Sequence, residues 1–107
     1  ARADLRAAEA MRRQVGNDLA AQIVLHLYAL RNADRQIRLF EEAIIPESDQ
    51  AVRALQGVYA AGRLPLQELL DSLRVWIDAR AALAEVRAER EKSLARLEAL
   101  AAVDLAA

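Results

Sequence analysis

The sequence predicts an all-α chain: a long antiparallel α-helical hairpin with coiled-coil-like packing, its first arm kinked or broken near Pro46. Three observations predict it. Apolar residues recur every three or four positions along most of the 107 residues, averaging about 3.5, the repeat of helices packed along their lengths. Ala, Leu, Arg and Glu, all strong helix formers, dominate the chain, and only three Gly and two Pro interrupt them. A Gly and a Pro then fall three residues apart in "YAAGRLPLQELLDS", residues 59–72, where one helix is expected to stop and another to start. Hydrophobic residues make up 55% of the chain and aromatic ones only 4%, so the packing surface is Ala, Leu, Val and Ile rather than large rings. The length suits one domain, residues 1–107.

The first arm is expected over about residues 2–61. Its stripe runs Ala8, Met11, Val15, Leu19, Ile23, His26, Leu30, Ala33, Ile37, Phe40 and Ile44, then Ala51, Leu55 and Val58 after an interruption. Pro46 causes that interruption, because its missing N–H and its ring oppose the preceding turn. Ser48 and Asp49 are placed to cap a new helix if the break is complete. The apolar register resumes beyond Pro46, which favours a kink. Gly16-Asn17-Asp18 offers a second possible break. At about 1.5 Å per residue, an unbroken first arm would reach roughly 85–90 Å and the second roughly 55–60 Å. The first fifteen or so residues then overhang, and either meet another chain or fold back at Gly16.

The tip is expected at residues 62–65. Gly62 suits the left-handed position that ends a helix, and Pro65 suits the first turn of the next. Leu64 is held extended by the proline after it. Glu68 falls in the new helix's first turn, where the helix dipole favours a carboxylate. The second arm, about 66–102, shows Leu66, Leu69 and Leu70, Leu73, Ile77, Ala81, Ala84, Leu94, Leu97, Leu100 and Ala101 as its stripe. Arg87 with Glu91 and Glu89 with Lys92 are expected as pairs on its outer face. Val24, Leu27 and Tyr28 on one arm, and Leu83 and Val86 on the other, lie beside the stripe. A helix apolar on two sides needs neighbours on two sides, so the hairpin is expected beside other hairpins.

Little in the chain supports catalysis. It has one His, no Cys and no Gly-rich phosphate loop. His26 lies on the packing stripe and reads as an interface histidine, without the further His or Cys that a metal site needs. Glu41-Glu42 and Glu89–Glu91 read as solvated faces, and Trp76 and Tyr59 as packing residues. No cofactor is expected. Fifteen basic against sixteen acidic residues, with no polybasic block, leave no nucleic-acid footprint. No apolar run approaches a transmembrane helix, and the start of the chain lacks a signal-peptide core. Beginning without Met, the chain reads as a mature fragment or an excised domain. Glu68 and Asp71, three residues apart on one helix face beyond the turn, read as dipole-stabilising acids or as a carboxylate cluster at the tip.

The run from Leu39 to Leu100 carries "IIP", an Ala/Leu-rich helix, Tyr59-x-x-Gly62, a short turn, Leu69-Leu70-Asp71, Arg74 and Leu97-Glu98-x-Leu100. This pattern resembles the α-hairpin of TolC-like outer-membrane efflux proteins, especially the branch serving heavy-metal efflux. "ARADLRAAEA" is similar to the start of the descending helix in that family, so the resemblance covers nearly the whole chain. Such proteins are trimers in which a β-barrel in the outer membrane continues as a periplasmic α-barrel. The resemblance implies a periplasmic location and a turn that docks a periplasmic adaptor protein. Tyr59, Gly62, Arg63, Leu64 and Pro65 match that docking tip. It further implies that Glu68 and Asp71 line a cation-selecting aperture.

The chain departs from the family in carrying one of two hairpin repeats and no barrel strands, so any membrane contact lies in segments outside it. Leu64-Pro65-Leu66 is a local variant of the turn. Alone, such a hairpin could dimerise into a four-helix bundle. The alternatives are a generic helical-bundle oligomerisation module and the α-hairpin of an adaptor, which would bring flanking β segments.

Overall fold

The computed structural model describes residues 1–106, and they form helices joined by one turn. In chain order these are α1 (Arg2–Leu39), a π-helical turn (Phe40–Ile44), α2 (Ile45–Ala60) and α3 (Leu66–Ala106). No strand occurs among the described residues. The fold is the expected long helical hairpin, with α3 running to Ala106 rather than to about 102. The chain divides into two units. One joins residues 1–31 to residues 90–107, and the other is the turn-bearing hairpin 32–89.

In the first unit, Leu19, Ile23, His26 and Leu30 are half-buried on α1, with buried Ser93 and half-buried Leu94, Leu97 and Leu100 on α3. Residues 1–18 are exposed throughout. Ala8, Met11 and Val15 therefore continue the heptad pattern without a facing surface, and α1 passes through Gly16 unbroken. The expected overhang is present, and the helix does not fold back.

In the second unit, Ala33 is buried and Ile37, Phe40 and Ile44 are half-buried on the incoming arm. The heptad reading of α1 thus holds position by position from Leu19 to the π turn. Beyond Pro46 it slips. Val52 is buried and Leu55 half-buried, whereas Ala51 and Val58 are exposed. The reason lies in the π turn, where the Ile45 N–H donates to the carbonyl of Phe40, five residues back. The extra residue in that turn moves the inward position from Ala51 to Val52, while Leu55 stays on the inner face. In a regular α-helix the Glu42 carbonyl would meet the ring of Pro46, a clash that a wider turn relieves.

Pro46 is therefore absorbed by a bulge and not by a break. Leu39, Ile44 and Ile45 all keep right-handed helical angles. With no break, neither Ser48 nor Asp49 caps a helix. The Ser48 hydroxyl donates to the Ile45 carbonyl at 2.9 Å, and the Asp49 side chain reaches across to α3.

In this unit the larger buried and half-buried side chains of α3 are Leu69, Leu73, Trp76, Arg80, Leu83 and Val86, with the small Ser72, Ala79 and Ala82 half-buried between them. The expected middle of this stripe is corrected: Ile77, Ala81 and Ala84 face outward, and Leu83 and Val86 lie in the core instead of beside it. Ala has too little apolar area to mark a face, and Trp76 and Arg80 interrupt the aliphatic pattern on the face that is buried. Arg87 also departs from expectation. Its Nη2 donates to Glu41 Oε1 at 2.7 Å across the hairpin, so neither Arg87–Glu91 nor a purely solvated Glu41 describes this part of the surface. No side chain among the described residues is fully buried, so many partial burials share the stabilisation.

Candidate functional site at the hairpin turn

The sequence of the turn leaves the backbone few choices. Gly62 adopts φ +73°, the left-handed region that costs a side-chain-bearing residue roughly 1–2 kcal/mol. Its N–H donates to the Tyr59 carbonyl at 2.9 Å, and the Arg63 N–H donates to the Val58 carbonyl at 3.1 Å. These two bonds make a Schellman motif, which closes off carbonyls that α2 would otherwise leave open. Pro65 precedes α3 instead of opening it. Its carbonyl accepts from the N–H groups of Glu68 and Leu69 at 3.2 and 3.4 Å, so it sits at the cap position, where its missing N–H costs no bond.

The residues singled out for the tip are thus brought together by the turn itself. Tyr59, Arg63 and Pro65 are exposed, and Leu64 is half-buried. Val58, Leu66 and Leu70 add exposed apolar surface around them. Glu68 and Asp71 both stand exposed in the first turns of α3. Asp71 Oδ1 accepts from Gln67 Nε2 at 3.0 Å, a helical i,i+4 contact that fixes the carboxylate beside the turn. Glu68 sits at the helix's positive end. Among the described residues no three His, Cys, Asp or Glu converge as a metal site would require.

A second polar group was not legible in the sequence. Asp49 on α2 accepts at one oxygen, Oδ1, from both Trp76 Nε1 at 2.6 Å and Arg80 Nη2 at 2.9 Å. The Arg80 guanidinium lies over the Trp76 ring, 4.1 Å from its centroid, a cation–π contact. Arg80 Nη1 is buried and has no hydrogen-bond partner among the described residues. A cleft of about 240 Å³ opens beside the group, lined by Asp49, Val52, Arg53, Gln56, Trp76 and Arg80. Trp76 is a packing residue, as read from sequence, but it also binds the carboxylate. Asp49 and Trp76 are 27 residues apart, beyond any local spacing rule.

The hydrogen bond from Trp76, and then that from Arg80, holds the Asp49 carboxyl below its ordinary value of 3.8 although partial burial opposes this. A depressed native pKa means that the stabilisation is present above the unfolded value and is lost as pH falls through the native one. We expect Asp49→Asn to lower the thermal midpoint by a constant amount at neutral pH. Below about pH 3.8 that difference should shrink toward zero. A difference unchanged down to pH 2 would mean that the carboxylate's charge contributes nothing.

No helix among the described residues is long and apolar enough to cross a membrane. Comparisons with family models, curated proteins and solved structures find no match for this chain.

Proposed function

We propose that this chain is a periplasmic hairpin of an outer-membrane channel in a tripartite efflux system, docking an adaptor protein through its tip. The observation that carries this reading is the exposed turn. Tyr59, Arg63 and Pro65 surround a left-handed Gly62, and Glu68 and Asp71 follow within two turns of α3, the order found in the hairpins that the sequence resembles. In that role the chain is passive: it supplies a wall, a docking surface and an acidic aperture, and it is not an enzyme. Gly62 shapes the tip, Leu64 anchors it, and Tyr59, Arg63 and Pro65 meet the adaptor. Glu68 and Asp71 attract cations at the entrance, in keeping with the heavy-metal branch of the resemblance.

Apolar side chains left on the outer surfaces, Val24, Leu25 and Tyr28 in one unit and Val75 and Ile77 in the other, support lateral packing against neighbouring hairpins. The parent assembly on this reading is a trimer, and the isolated chain self-associates, most simply as a dimer. The same residues would equally serve a plain helical-bundle oligomerisation module, in which the tip acids have no task.

Charge reversal separates the two. In the full-length channel, Glu68→Lys with Asp71→Lys should change single-channel conductance and weaken block by divalent cations, with assembly intact. Unchanged conductance and block would reduce both acids to helix-stabilising residues and leave the oligomerisation module as the better description.

A further inference from the structure

Beyond Pro46 the first arm carries two overlapping apolar phases. A continuous heptad from Ile44 gives Ala51, Leu55 and Val58, whereas the structure turns Val52 and Leu55 inward and leaves Ala51 and Val58 exposed. The phases share Leu55 and otherwise differ by up to one residue, or at most roughly 100° of rotation. Their apolar content is similar, because Val52 in one is matched by Ala51 and Val58 in the other. Hydrophobic burial therefore chooses weakly between them.

The polar side chains do not. In the observed phase Asp49 meets α3 and takes donors from both Trp76 and Arg80. One residue back, its place would pass to Ser48, whose short hydroxyl carries no charge for Arg80. A polar residue on a helical interface commonly costs stability and specifies register. Within the bulge itself, Glu41 is held by Arg87, so one cross-helix pair lies in the π turn and the other follows it.

We propose that Asp49 is a positioning residue that pins α2 in its π-shifted register through Trp76 and Arg80. Without both it and Pro46, α2 takes the continuous-heptad register and rotates the face it presents toward the turn. Pro46 favours the bulge as well, since a regular α-turn there brings its ring against the Glu42 carbonyl. The pin is therefore visible only when the proline is also replaced. The inference concerns register alone and does not depend on what the tip docks.

The chain has no cysteine, so single cysteines can report the register. Ala51→Cys and Val52→Cys are placed separately in four backgrounds: the otherwise unchanged chain, Pro46→Ala, Asp49→Ala, and Pro46→Ala with Asp49→Ala. Maleimide labelling rates are compared, with far-UV helicity as the control. In the unchanged chain and in either single background, position 51 should label faster than position 52. In the double background the ratio of the two rates should invert. Retention of the original order there would overturn the proposal. Inversion in Pro46→Ala alone would also overturn it, because the proline would then set the register. If the double background loses helicity, Pro46→Ala with Arg80→Gln removes the pin from the opposite helix. The same inversion is expected, and its absence in a folded protein counts equally against the proposal.

Discussion

Leu83→Ala should cost about 2–5 kcal/mol of unfolding free energy, while Ile77→Ala should change it by no more than about 0.5 kcal/mol. The two side chains lie six residues apart on α3 and are both large aliphatics, so propensity cannot separate them. Burial does: Leu83 is 7% exposed and Ile77 57% exposed. Truncating Leu83 removes buried apolar surface and leaves a cavity that the neighbouring side chains fill only in part. Truncating Ile77 removes surface already in water. Denaturant unfolding at unchanged slope reads the difference directly. Equal losses, or a larger loss at Ile77, would contradict the assignment of the α3 face.

Gly62→Val should be the most damaging change in the turn, at about 1–2 kcal/mol or somewhat more for a β-branched residue at positive φ. A Cβ at Gly62 would have no atom within 4 Å, so the cost is backbone conformation and not collision. Gly62→Asn, which tolerates the left-handed region, should lose much less. Thermal unfolding of the two variants gives the comparison. Similar losses from both would show that the Schellman geometry is not what Gly62 supplies. On the proposed function, Gly62→Val should also impair adaptor coupling more than it lowers stability, because the strain sits at the docking surface.

These two positions mark what was legible in the sequence. The turn was, because Gly62 and Pro65 act through local backbone rules, and only the exact place of Pro65 moved. The incoming arm was also legible from Leu19 to Ile44, where the apolar residues are large and the helix is regular. Past Pro46 the expectation holds at Leu55 and fails at Ala51 and Val58, since heptad counting assumes a constant number of residues per turn and the π turn adds one. On α3 it failed between Leu73 and Val86. Ala81 and Ala84 continued the wrong face, while Trp76 and Arg80 occupied the right one. Trp76 and Arg80 belong there because Asp49 binds them, and that partnership exists only once the arms are paired. The spacing of Glu68 and Asp71 places both on the exposed first turns of α3, where they stand, but the Gln67 contact to Asp71 was not legible.

The most direct test of the proposed function is tip-specific crosslinking in the full-length channel, in a background where any cysteine outside these 107 residues is replaced. Single cysteines at Arg63 and Leu64 at the tip, and at Val75 on the outer face of α3, are each paired with a cysteine at the hairpin tip of the cognate purified adaptor. Disulfide formation at Arg63 and Leu64, with little at Val75, is the expected result. Crosslinking at Val75 alone, or equally at all three, would contradict docking through the turn.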